Sequence, residues 1–249
     1  MNNKWILKHH IPENPKIRLF CFPFGGSGSS YYMSWSKQFE PDVEIVPVQL
    51  PGRENRLSEP PLNEMNSLIA EILPAVQGYL DKPYALFGHS MGAFVSFELA
   101  RAIRRKNLAA PKLLMASAIR AAHLEETLPP ISHLSDEEFI DALKQRYGLG
   151  VTEESMELLW LMLPTIRADI FCVENYAYTD EPPFDFPMIG FGGKADWTIK
   201  SDQIEGWSYH TTGPFKCYEI DGGHFFVNSE RDQLIKCIRD ELTDISRNL

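Results

Sequence analysis

The chain has 249 residues, with 24 Lys+Arg against 34 Asp+Glu and a formal charge of −10 when the histidines are neutral. That length suits one large α/β domain or two small ones with a sizeable core, and the acidic balance excludes non-specific attraction to nucleic acid or an anionic membrane. Cys21, Cys172, Cys217 and Cys237 lie far apart, without the short paired spacing of a zinc site, so no metal is expected.

The N-terminal stretch MNNKWILKHHIPENPK is polar, with no apolar core for a signal peptide, and His9 and His10 read as tail residues. No apolar run approaches the ~18 residues of a membrane span. The expectation is a cytoplasmic protein with reduced thiols and no membrane partner.

The first strand falls at residues 17–22, followed by the glycine-rich CFPFGGSGSSYY and a helical pattern over 31–39. Strand 43–48 leads into VQLPGRENR, and a helix follows over 62–80. Strand 84–87 then meets Gly88-His89-Ser90-Met91-Gly92, with a helical pattern over 90–106, and the next strand is 112–117. Strands 187–191 and 216–220 and a helix over 228–247 complete the alternation. Most of the strands are continuously apolar, the mark of a parallel sheet covered on both faces. Strand–helix alternation predicts a single α/β domain over the whole chain.

Residues 119–186 break the rhythm, because a plain crossover needs only a dozen or so residues. They read as two or three extra helices. Ser135 and Glu138 are spaced as a capping box at the start of one. Another spans 153–178; its stretch 156–163 is apolar nearly all round, and Pro164 should stop or kink it. Such an insertion over a sheet's carboxyl edge is expected to act as a mobile lid. Trp160, Met162, Phe171 and Tyr176 are the bulky residues available to fill any tunnel beneath it.

Gly88–Gly92 fits the nucleophile elbow G-x-S-x-G between a strand and a helix, which makes Ser90 the candidate nucleophile. A serine hydroxyl needs a histidine to accept its proton and an acid to orient that histidine. His123, His133, His210 and His224 all follow Ser90; His224, directly after the last strand and before the final helix, lies where this order of elements needs the base. Asp196, just past the preceding strand, is the candidate acid. Asp221 competes but reads better as closing the DGG turn, and Asp169 and Asp180 lie in the insertion. Two N–H donors must meet the oxyanion. One is expected from the backbone of Met91 and the other from Gly25, with Phe24 as the near alternative. FGGSGSS lacks both the lysine of a phosphate loop and the G-x-G-x-x-G spacing of a dinucleotide site.

With CFPFGGSG, VQLPGRENR, FGHSMGA, GGKAD and DGGHFF in place, the chain resembles the stand-alone (type II) thioesterases of nonribosomal peptide and polyketide synthesis. That resemblance implies an α/β-hydrolase fold with a mostly parallel sheet flanked by helices and a helical lid at about 119–186. It also implies hydrolysis of acyl groups held as thioesters on the phosphopantetheine of acyl or peptidyl carrier proteins, clearing stalled or wrongly primed carriers. Ser90 takes the nucleophile's place, His224 the base's and Asp196 the acid's. The enzyme itself needs no cofactor, and a monomer is the expectation. Phe24 departs from the histidine that many relatives carry in FPHAGG.

RAIRRKN (Arg101, Arg104, Arg105 and Lys106), with Arg53 and Arg56, offers basic groups that could dock an acidic carrier, although cations favourably placed at a helix C-terminus are the preferred reading of the first four. Rival readings are a carboxylesterase or lipase, a fatty-acyl-releasing thioesterase, a release or cyclising domain, and a silent acyl-binding protein. A chain without a carrier module favours the free-standing form, and an unbroken triad argues against silence.

Overall fold

The computed structural model describes residues 3–7, 10–148 and 153–247; His9 lies outside them. Strands β1 (Ile17–Phe22), β2 (Val43–Pro47), β3 (Tyr84–His89), β4 (Leu113–Ser117), β5 (Met188–Gly193) and β6 (Phe215–Ile220) form one parallel sheet in the order β2-β1-β3-β4-β5-β6. Helices α1 (Ser29–Met33) and α2 (Ser36–Phe39) follow β1, α3 (Met65–Gln77) follows β2, and α4 (Met91–Arg105) follows β3. Between β4 and β5 lie α5 (Asp136–Tyr147) and α6 (Glu153–Glu174). After β5 comes α7 (Ser201–Glu205), and α8 (Phe226–Ser229) and α9 (Arg231–Ser246) close the chain.

The apolar runs divide their side chains between two layers, because successive strand residues point to opposite faces. Phe20, Phe22, Leu86 and Leu114 pack with Ile72 of α3 and with Phe94 and Leu99 of α4. Leu19, Cys21, Phe87 and Met115 pack with Trp35 and with Leu234 and Ile238 of α9. Both faces of β1 to β5 are covered, which is why those strand sequences do not alternate with polar residues, whereas the edge strand β6 is half-exposed and carries Lys216 and Glu219.

Neighbouring β1 and β3 send their connections to opposite sides, β1 toward β2 and β3 toward β4. Such a reversal opens a crevice at the strands' carboxyl ends, where open α/β sheets bind ligands. The loop after β1 and the elbow after β3 both face that crevice.

Three local expectations change. The helix over 31–39 is two short helices: Trp35 N–H turns back to the Tyr32 carbonyl at 2.9 Å, and the fully buried Trp35 ring packs against Tyr32 and Phe87. Strand β3 runs on to His89, because Gly88 and His89 still pair with Ala116 and Ser117. Helix α6 continues through Pro164, which costs it the N–H that would bond the carbonyl of Trp160. Trp160 is 42% exposed, so water can reach that turn. The Ser135–Glu138 box caps α5 as expected, with Ser135 N–H donating to Glu138 Oε2 at 3.1 Å. His10 is exposed and meets Glu40 at 2.9 Å.

Candidate active site

Ser90 sits between β3 and α4 with φ 52° and ψ −123°, a conformation that L-residues rarely adopt. Its N–H donates to the Ser117 carbonyl at 2.7 Å, which pins the turn to β4. The two flanking glycines are required by close approach. A Cβ on Gly88 would lie 2.0 Å from the Gly92 carbonyl oxygen, and one on Gly92 would lie 2.3 Å from that of Phe22. The motif therefore locks β1, β3 and α4 together beneath the serine.

His224 and Asp196 converge on it from the loops after β6 and β5. His224 Nε2 is 3.2 Å from Ser90 Oγ, and His224 Nδ1 is 2.9 Å from Asp196 Oδ2. Asp196 Oδ1 accepts the N–H of Thr198 at 2.9 Å and its hydroxyl at 2.5 Å. Burial works to raise the Asp196 pKa, but the hydrogen bond and charge of His224 and the two Thr198 donors outweigh it and hold the carboxyl below its ordinary value. The other candidates lie elsewhere. His123 and His210 face each other at 3.1 Å, and His133 is exposed. Asp221 pairs with Lys194 at the surface, and Asp180 accepts from the Tyr178 hydroxyl.

His89, the variable position of the elbow, went unnoticed in the sequence because nothing in its spacing distinguishes it. It is fully buried, with Nε2 2.9 Å from the His224 carbonyl oxygen and Nδ1 2.9 Å from Ser117 Oγ. A carbonyl can only accept, so Nε2 carries the proton and Nδ1 accepts from the hydroxyl. Burial, with the neighbouring His224, pushes its pKa down to about 3, so His89 stays neutral and holds the backbone of the histidine that faces Ser90. Thr198 went equally unnoticed.

Around Ser90 is a cavity of about 40 Å³, lined by Gly25, Met91, Ile119, Leu128, Tyr147 and Val173. Among the described residues no acceptor takes the N–H of Gly25 or of Met91. Phe24 turns its ring into a cluster with Tyr31, His89 and Phe225. Tyr147, from α5, lays its ring 4.7 Å from that of His224. The bulky residues expected to fill a tunnel do not line this cavity. Trp160 and Phe171 are 42% and 39% exposed, Met162 is half-buried, and Tyr176 stacks on Phe94 while its hydroxyl donates to Glu98. Helix α6 presents Ile170 and Val173 to the site instead.

The expected basic patch is divided: Arg105 and Lys106 are exposed and Arg104 is half-buried. Arg53, Arg56 and Arg101 are buried, while Arg104 and Arg105 share the Glu181 carboxylate. Among the described residues no group of three His, Cys, Asp or Glu could hold a metal, and no helix is long and apolar enough to cross a membrane. The arrangement can pass a proton from a serine hydroxyl to an imidazole braced by a carboxylate, beside backbone donors at a helix N-terminus.

A family model described as the thioesterase domain matches residues 17–242. The protein called linear gramicidin dehydrogenase LgrE, from Brevibacillus parabrevis, is 36% identical over 96% of this chain and 93% of its own length. The RedJ thioesterase from the prodiginine biosynthetic pathway in Streptomyces coelicolor superposes with a TM-score of 0.86 at 34% identity, over 91% of this chain and 86% of its own. The type II thioesterase BorB from the borrelidin biosynthetic cluster gives 0.85 at 30% identity, over 96% of each chain. The name of the first is that of a redox enzyme. The family and both structures are described as thioesterases, and the loop after β1 has no dinucleotide spacing.

Proposed function

The chain belongs to the thioesterase family, as a thioester hydrolase of the type II class found in nonribosomal peptide and polyketide pathways, and we propose that it removes short acyl groups from the phosphopantetheine of carrier-protein domains through an acyl-enzyme on Ser90. The observation that carries this reading is the hydrogen-bonded line from Asp196 through His224 to Ser90, at 2.9 and 3.2 Å, ending in a small cavity beside Met91 and Gly25.

His224 Nε2 takes the proton of Ser90 Oγ as that oxygen attacks the thioester carbonyl. The N–H groups of Met91 and Gly25 receive the oxyanion. Collapse breaks the C–S bond, and the departing pantetheine sulfur leaves as a thiol with the proton from His224. Water then attacks the acyl-enzyme with His224 again as base, and a carboxylic acid leaves. Asp196, held ionised by its partners, keeps Nδ1 protonated and steadies the imidazolium. The enzyme supplies no cofactor of its own, and the phosphopantetheine belongs to the substrate. In this reading it acts as a cytoplasmic monomer.

The cavity supports a short acyl group. Its 40 Å³ is far below the roughly 300–1,000 Å³ of pockets that enclose drug-sized ligands. An open tunnel would instead gain about 0.8 kcal/mol for each further buried methylene and favour long chains steeply.

Intact-protein mass spectrometry of one carrier loaded with acetyl, butyryl, octanoyl or palmitoyl groups tests this, with the matching acyl-CoAs alongside. Acetyl and butyryl should leave fastest, and Ser90→Ala should lose activity by about 10⁶-fold. If palmitoyl leaves fastest, the enzyme releases fatty acids instead. Equal rates on free acyl-CoA would remove the carrier from the mechanism.

A further inference from the structure

The backbone from Phe24 to Ser27 forms a turn. Ser27 N–H donates to the Phe24 carbonyl at 2.9 Å, and Gly26 has φ +76°. Ser27 Oγ donates to the same carbonyl at 2.8 Å, but with glycine at both 25 and 26 these two bonds leave the Gly25 and Gly26 peptides free to rotate between them. An oxyanion donor, however, must be aimed to within roughly 0.5 Å.

Asp169 of α6 supplies the missing constraint. Its carboxylate is 1% exposed, and Oδ2 accepts the N–H of Gly26 at 2.8 Å. Arg53, from the loop after β2, grips both carboxylate oxygens at 2.8 Å and donates from Nη1 to the Ser27 carbonyl at 3.1 Å. Both sides of the turn are thus held by one buried, bidentate ion pair, the geometry that fixes orientation as well as charge. Neighbouring residues of α6 seat the helix at the same point. A Cβ on Gly26 would lie 2.8 Å from Ile166, and Thr165 Oγ1 donates to the Gly52 carbonyl at 2.5 Å.

We propose that Asp169 and Arg53 are positioning residues for the oxyanion hole, so that seating α6 and aiming the Gly25 donor are one event. The inference rests on Ser90 being the nucleophile, as proposed above. Asp169 borders the cavity, but its two oxygens are engaged by Arg53 and the Gly26 N–H, so both residues act through the backbone of Gly26 and Ser27.

The test compares Asp169→Asn and Arg53→Lys with the wild type on a small acyl-pantetheine thioester. Two inhibitors accompany it: an alkyl boronic acid, which forms a tetrahedral adduct on the serine, and a non-hydrolysable amide analogue, which mimics the ground state. Asp169→Asn should lower kcat by about 10²- to 10³-fold, as for loss of one oxyanion donor, with KM within about threefold. Boronate affinity should fall in parallel while amide affinity holds. Arg53→Lys, which keeps the charge but loses the fork, should move in the same direction by a smaller factor. It decides the matter if Asp169→Asn fails to fold in a thermal melt. Folded variants that keep wild-type boronate affinity, or that lose activity only through KM, overturn the proposal. A wild type that ignores acyl carriers yet shows the boronate pattern would sink the proposed substrate and leave this inference standing.

Discussion

Asp196 and Asp221 both precede His224 in the sequence, and their surroundings separate them. Asp196 is 8% exposed with its oxygens on His224 and Thr198, whereas the Asp221 side chain is 60% exposed and pairs with Lys194. Asp196→Asn should lower kcat by about 10⁴-fold, because an amide stabilises the wrong histidine tautomer. Asp221→Asn should stay within about twofold, since surface ion pairs contribute little. Steady-state kinetics of both variants checks the assignment, which reverses if Asp221→Asn does the greater damage. The elbow glycines make an independent prediction. Gly92→Ala would drive a Cβ to 2.3 Å from the Phe22 carbonyl oxygen, which flexible side chains cannot relieve. It should cost about 3 kcal/mol, at the upper end for overpacking, and lower Tm by roughly 6–12 °C in a chain of this size. A scanning-calorimetry Tm within about 2 °C of wild type would contradict that.

Helix α6 is two elements in one. Its C-terminal half is clasped by Thr165, Ile166 and Asp169, and Cys172 is buried in the main core. The turns before Pro164 expose Leu158, Trp160 and Leu161 at 60%, 42% and 59%, and Pro164 removes one helical hydrogen bond at the boundary. Few buried contacts and a missing bond mark the low-stability end of a structure, from which lids are drawn. Amide exchange should therefore be faster in α6 before Pro164 than in residues 165–174 or in β3. Equal protection across all of them would make the insertion an extension of the core.

Across the whole molecule, two buried histidines tie stability to pH. Burial, with His224 nearby, lowers the His89 pKa to about 3; burial, with His123 and Arg101 nearby, does the same for His210. In the unfolded chain both return to about 6.5. Between these values the unfolded state binds more protons than the folded one, so stability is full above about pH 6.5 and falls as pH drops toward 3. The slope should approach about 3 kcal/mol per pH unit, shared about equally between the two, with His123, also lowered by burial, adding in the same direction. Urea unfolding at pH 7, 6 and 5 measures it, and His210→Asn should remove about half. A flat profile from pH 7 to 5 would show that neither histidine is held neutral.

Much of this was legible in the chain alone. All six strands were located to within two residues at each end, most of them by continuously apolar runs, because burial on both faces leaves no room for polar alternation; the edge strand β6, half-exposed, carries Lys216 and Glu219. Gly88 and Gly92 marked the elbow because no other residue permits the approach of β1, β3 and α4. That His224 and Asp196 meet Ser90 was legible because a sheet of this order brings the loops after β5 and β6 to the elbow. What the chain could not reveal were pairings between residues distant in sequence. Arg53 and Asp169 are 116 positions apart, and each by itself reads as an ordinary charged residue of a loop or a helix. His89 lies 135 positions from the carbonyl it supports. Nor could helical periodicity say which face of α6 meets Ser90, since residues 156–163 are apolar nearly all round and offer no preferred stripe. The anchoring of Thr165, Ile166 and Asp169 on two glycine loops set that rotation. It turned Val173 to the site and Trp160 to water, a choice made by side chains meeting across the fold.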